Sequence, residues 1–165
     1  MPLTIASLPV DKGELALCPM PGRGGAYGAD LRDLLAHGPA LVLTMTTAAE
    51  MEAKGAADLP ADLAAHGIGW LHLPVADFGA PDAAVGAAWP AASAKARAVL
   101  AGGGKVLVHC MGGCGRSGMA VLRLMVETGE PPHSALSRLR AARPCAVDVT
   151  SRKVIGLFSE HLWLQ

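Results

Sequence analysis

The sequence predicts an α/β protein with a central, mostly parallel twisted sheet flanked by helices. Three observations carry this expectation. Short aliphatic runs of strand length alternate with alanine-rich stretches of helical length, the pattern that places a largely parallel sheet between helices. Glycine and proline fall between those stretches and punctuate them. The chain has 165 residues, close to the roughly 150 of one domain, so a single domain over residues 1–165 accounts for it.

In chain order, residues 3–7 and 15–18 read as short edge strands, 40–45 as a buried strand, and 70–73 and 105–110 as two more. Helices fall at 29–37, stopped by Gly38 and Pro39, at 48–54, stopped by Gly55, and at 61–66, closed by Gly67. A long helix covers 83–101 with Asp82 as its N-cap, and Pro90 inside it predicts a bend or a split. Three more follow at 118–127, 134–142 and from 151 to about 162. Two glycine-rich breaks interrupt this alternation. Residues 21–28 are long enough for a surface loop beside a site, and 102–104 make a turn ahead of a core strand.

Composition narrows the function. Lysine plus arginine and aspartate plus glutamate both number 14, so the formal charge is zero. Nucleic acid and anionic membrane are therefore not expected as partners, since both require a basic surface. Hydrophobic content is 52%, yet no uninterrupted apolar run approaches the roughly 20 residues of a membrane span. The N-terminus has no basic region ahead of an apolar block, so no secretory signal is read and a cytoplasmic location is expected. Cys18, Cys110, Cys114 and Cys145 lack the density of a disulfide scaffold and the paired spacing of a zinc ribbon. Reduced thiols are the expectation, with one of them chemical.

The chemistry concentrates in His109-Cys110-Met111-Gly112-Gly113-Cys114-Gly115-Arg116-Ser117-Gly118. A strand, a glycine-rich loop and a helix N-terminus in that order form an anion cradle, because backbone N–H groups converge there and the helix dipole adds positive potential. Phosphate is the natural guest, held by Met111, Gly112, Gly113, Cys114, Gly115 and Arg116. Cys110 at the strand end lies at the bottom of the cradle, where those dipoles and Arg116 favour the nucleophilic thiolate. Arg116 grips two phosphate oxygens with its planar fork. Ser117 donates a hydrogen bond to the sulfur and makes it a better leaving group. His109 neighbours Cys110 on a strand, so its side chain points to the opposite face and supports the loop from behind.

Cys-x5-Arg-Ser preceded by His resembles the signature of the protein tyrosine phosphatase superfamily, most closely the small dual-specificity branch of kinase-associated phosphatases and their bacterial relatives. The resemblance covers roughly residues 68–163. The segment His72-Leu73-Pro74-Val75-Ala76-Asp77 and onward to Asp82 is similar to the branch's general-acid loop, which implies Asp77 as the acid; Asp82 is a rival acid or a helix cap. Leu139-Arg140-Ala141-Ala142-Arg143-Pro144 is similar to the segment leading into the last helix. The resemblance implies a dual-specificity phosphatase-like fold and a two-step reaction without metal or cofactor. Cys110 attacks phosphorus while Asp77 protonates the leaving oxygen, and water, with Asp77 as base, then releases phosphate. Relatives carry a water-positioning glutamine where this chain has Arg152, which adds a second phosphate contact and alters how the hydrolytic water is placed.

Several residues keep two readings. Cys114 is a small filler in the loop or a thiol that condenses with oxidised Cys110. Cys18 and Cys145 are core or surface thiols or redox partners, and Arg23 is solvated or forms a wall of the cleft. The expected substrate is a phosphorylated protein or small phosphomonoester, phosphotyrosine first and phosphoserine or phosphothreonine beside it. The uncharged loop residues favour a single phosphate. Rhodanese and arsenate-reductase types do not fit a loop with this spacing at residue 110. A non-catalytic phosphoresidue-binding module or a redox-sensing oxyanion site is the alternative.

Overall fold

The computed structural model describes residues 2–77 and 79–147. Among them, five strands form one sheet: β1 (Ala6–Val10), β2 (Gly13–Cys18), β3 (Leu41–Thr44), β4 (Gly69–His72) and β5 (Lys105–His109), ordered β1-β2-β5-β3-β4. β1 is antiparallel to β2 and every other pairing is parallel. Six helices accompany it: α1 (Tyr27–His37), α2 (Ala48–Ala53), α3 (Leu59–Ala65), α4 (Ala83–Ala101), α5 (Gly115–Glu127) and α6 (Pro132–Ala142). The predicted mostly parallel α/β sheet is the observed one.

Alternation along the strands explains the layers. Leu15, Leu17, Leu41, Leu43, Val106 and Val108 turn to one face and join Trp89, Leu100, Val121, Leu124 and Leu139 of α4, α5 and α6. Ala16, Cys18, Val42 and Leu107 turn to the other and join Leu34, Met51, Leu59 and Leu63 of α1, α2 and α3. Both faces are thereby covered, which is why the central strands read as continuous apolar runs.

Some expected boundaries change for identifiable reasons. β2 is not an edge strand: it pairs with β1 on one side and β5 on the other. The edge belongs to β1, whose Pro9 lacks the N–H that a central strand needs. α4 is not split at Pro90. Val85 and Trp89 before the proline and Ala92, Ala96 and Leu100 after it are all buried, so packing on both sides offsets the lost backbone bond. α3 starts at Leu59 because Pro60 is tolerated in a first turn. α5 opens at Gly115, three residues ahead of the expected 118. The helix expected over 151–162 lies outside the described residues, as does Arg152.

Candidate phosphate-binding active site

β5 delivers the two central residues in opposite directions. Cys110 continues the parity of Val106 and Val108 and joins their core, 3% exposed. His109 turns to the α1–α3 face, as expected, and is fully buried. Its Nε2 lies 2.7 Å from the Thr44 hydroxyl, which accepts a hydrogen bond from Trp70 Nε1 at 2.8 Å. Its Nδ1 lies 3.3 Å from the Cys110 carbonyl. A carbonyl only accepts, so Nδ1 carries the proton; burial lowers the His109 pKa to about 4, leaving a neutral ring whose Nε2 accepts from Thr44. The chain Trp70–Thr44–His109 thus fixes the backbone at Cys110 from behind.

The loop then curls back over Cys110. Gly113 has φ +71°, and a Cβ there would lie 2.5 Å from backbone atoms of Cys18 and Pro19, so only glycine fits. Met20 N–H bonds the Met111 carbonyl at 3.2 Å, while the Met111 side chain packs against the α1–α3 core. On the outside, Arg143 donates from Nε to the Gly113 carbonyl and from Nη2 to the Gly112 carbonyl, both at 3.1 Å. Each planar peptide points its N–H opposite its C=O, so these outward carbonyls turn the N–H groups of Gly113 and Cys114 toward the cradle. α5 begins directly after N-cap Cys114, whose side chain does not cap the first-turn N–H groups. N–H groups left uncapped at a helix N-terminus are the arrangement that accepts an oxyanion. Arg23 is exposed, with Nη1 3.6 Å from where a Gly112 Cβ would stand, so the 21–28 loop forms a wall of this site.

Arg116 is 5% exposed and already oriented. Nη1 donates to Glu50 Oε2 and to the Val75 carbonyl, both at 2.8 Å, and Nη2 donates to Glu50 Oε1 at 2.9 Å. Of the five guanidinium hydrogens these bonds engage three, leaving Nε–H and one on Nη2 for an oxyanion. Glu50 sits in α2, whose start is fixed by a capping box with Thr47. Its pKa falls to about 2, chiefly through the Arg116 hydrogen bonds, with Thr47 adding to them against burial. Asp77 Oδ1 lies 3.6 Å from Arg116 Nη2, on a side chain 52% exposed. Asp82 instead accepts from Val85 N–H at 2.9 Å and caps α4, which resolves its two readings in favour of the cap. Ser117, fully buried, places Oγ 3.2 Å from Cys110 Sγ.

The cysteine expectations need correction. Cys114 is neither a free filler nor a partner of Cys110: it is disulfide-bonded to Cys145, with Cα atoms 5.3 Å apart. Cys18 and Cys110 are free and buried. Burial pushes the Cys18 thiol far above the usual thiol range, which makes it inert. The sequence reading also missed Glu50, Thr44 and the clamp by Arg143. Thr47-x-x-Glu50 is legible as a capping box, but only the fold brings that carboxylate to Arg116.

This geometry has known counterparts. The family model described as the phosphatase domain of dual-specificity type in Swiss Army Knife proteins matches residues 10–154. The chain belongs to the protein tyrosine phosphatase superfamily, in its small dual-specificity branch. Cyclin-dependent kinase inhibitor 3 of Mus musculus is 30% identical over 153 residues, covering 86% of this chain and 71% of the relative. Kinase associated phosphatase, solved with its catalytic-site cysteine replaced by serine, superposes with a TM-score of 0.80 at 23% identity over 97% of this chain and 96% of its own. Tk-PTP in its active form gives 0.65 at 27% identity, over 90% and 92%. This phosphatase is thus a cysteine-based hydrolase. Among its described residues no helix is long and apolar enough to cross a membrane.

Proposed function

We propose that residues 1–165 form one phosphatase-like domain that hydrolyses phosphotyrosine in proteins, with phosphoserine and phosphothreonine as further substrates, through a phosphocysteine at Cys110. The observation that carries the reading is the convergence of Cys110 Sγ, Ser117 Oγ, the pre-oriented Arg116 and the Asp77 carboxylate on one glycine-rich loop. The substrate phosphate binds the inward N–H groups and the two remaining Arg116 donors, displacing the Asp77 contact. Cys110 thiolate attacks phosphorus in line, and the ester oxygen departs with a proton from Asp77. Water then attacks the phosphocysteine, Asp77 takes its proton, and Ser117 donates to the departing sulfur. Because Glu50 and the Val75 carbonyl already hold the guanidinium, little side-chain freedom is lost on binding.

The uncharged Met111–Gly115 segment supports a singly phosphorylated substrate, and the kinase-associated name of a structural neighbour supports a phosphorylated protein. Catalysis through free Cys110 suits the cytoplasm, where that thiol stays reduced. Arg152 keeps its proposed role as an added phosphate contact near the hydrolytic water. The test is hydrolysis of para-nitrophenyl phosphate in chelator from about pH 4.5 to 8. Wild type turns over without metal, Cys110→Ser is inactive but binds phosphate, and Asp77→Asn loses the basic limb of the pH profile. An inert reduced wild type, or a Cys110→Ser protein that still turns over, overturns the assignment.

A further inference from the structure

The outer side of the phosphate loop is held by one short segment following α6. Arg143 clamps the Gly112 and Gly113 carbonyls, and two residues later Cys145 is covalently joined to Cys114 in the same loop. Pro144 lies between these attachments and fixes its own φ, so clamp and disulfide act as one stiff span. Inside the loop, Cys114 also caps α5, and its carbonyl accepts from Gly118 N–H at 3.1 Å and from Val147 N–H at 3.4 Å. The bonded sulfur therefore sits where loop, helix N-terminus and the post-α6 segment meet.

We propose that the Cys114–Cys145 disulfide is a redox-responsive brace that sets the oxyanion affinity of the phosphate loop and is opened by a dithiol reductant. The proposal rests on the phosphate-loop reading above. Both cysteines are half-buried and so within reach of a reagent, whereas Cys110 is buried at the strand end and Cys18 is buried and inert. One thiolate of the dithiol attacks a sulfur of the pair and forms a mixed disulfide, and its second thiol displaces the remaining cysteine. Two electrons and two protons pass to Cys114 and Cys145, and the reductant closes its own disulfide. In the bonded form the inward N–H groups of Gly113 and Cys114 are preorganised for phosphate. In the dithiol form the crest keeps the Arg143 clamp and the Val147 N–H bond to the Cys114 carbonyl but loses its covalent tie, and binding must first order it.

The experiment separates this brace from turnover by using the Cys110→Ser protein, which removes the nucleophile from the redox chemistry. Thiols are counted after denaturation, and inorganic phosphate affinity is measured by calorimetry, before and after dithiothreitol. One thiol, Cys18, is expected in the bonded form and three after reduction, with phosphate affinity falling on the order of tenfold as preorganisation is lost. Adding Cys145→Ala should give the weaker affinity in either condition, without a redox response. Reduction of the unaltered pair is the arm that depends on no folding of a new variant. Equal affinity in the two thiol-counted states overturns the proposal. So do three thiols after diamide treatment, or a redox response that survives Cys145→Ala. If wild type fails to hydrolyse para-nitrophenyl phosphate while the affinity shift is present, the phosphatase reading falls and the brace stands; turnover without the shift gives the reverse.

Discussion

The floor and the crest of the phosphate loop are fastened in different ways. On the floor, His109, Cys110, Arg116 and Ser117 are buried and held by partners on β3, β4 and α2 or by one another: Thr44, Trp70 and Glu50. On the crest, Gly112 and Cys114 reach the surface and are held from outside by Arg143 and the bond to Cys145. The floor shares its fate with the core, so damage there costs stability and chemistry together. The crest can loosen while the fold persists, so damage there shows first as weaker anion binding.

The largest test of that contrast is Glu50→Gln, which takes from the buried Arg116 guanidinium its close, doubly bonded countercharge and leaves the exposed Asp77 carboxylate at 3.6 Å. Unfolding free energy should drop by about 3 kcal/mol, and kcat/KM should fall roughly a hundredfold as the guanidinium loses its orientation. Urea denaturation and phosphate-ester kinetics on the same preparation measure both, and a change in only one would break the coupling assigned to the floor. Arg143→Ala should act on the crest alone. KM and the inhibition constant of inorganic phosphate should rise on the order of tenfold, with kcat and the urea midpoint moving little. A stability loss matching that of Glu50→Gln would erase the distinction.

Thr44→Val sharpens the contrast from the other side. It removes the hydroxyl between Trp70 and His109, leaving the buried His109 nitrogen and the half-buried Trp70 nitrogen unpartnered at a cost of about 1–3 kcal/mol, and kcat should fall with it as the backbone at Cys110 loses support, while phosphate affinity stays within a factor of about three. The gentlest probe is pH. His109 is held at about 4 by burial, below its ordinary 6.5, so between those values the unfolded chain takes up a proton that the folded one refuses. Its contribution is full above pH 6.5 and is lost as pH falls toward 4. Glu50, lowered from 4.5 to about 2, contributes fully above 4.5 and loses its share on the way down to 2. Stability should therefore decline in two successive steps on acidification, and His109→Gln should flatten the upper one.

Much of this site is legible from local pattern because its chemistry is local. Cys110, Arg116 and Ser117 share one strand-loop-helix unit, and the glycine that φ +71° demands at Gly113 sits inside it. The parity that sends His109 away from Cys110 follows from strand geometry alone. What local pattern leaves open or misses at this site is relational. Asp77 and Asp82 are five residues apart with the same side chain, and only their partners, Arg116 and Val85 N–H, tell them apart. Four cysteines permit several pairings, and none is favoured by spacing.

The sequence by itself determined the α/β alternation and the strand-loop-helix unit that carries Cys110, Arg116 and Ser117, because each depends on residues within a few positions of one another. Tertiary structure alone decided that β2 is interior, that Glu50 meets Arg116 across 66 positions and that Cys145 closes on Cys114 across 31. Those contacts depend on the order of strands in the sheet and on where the turns return the chain. Hydrophobic periodicity sets which face a residue takes, and it carries no record of which neighbour it will find there.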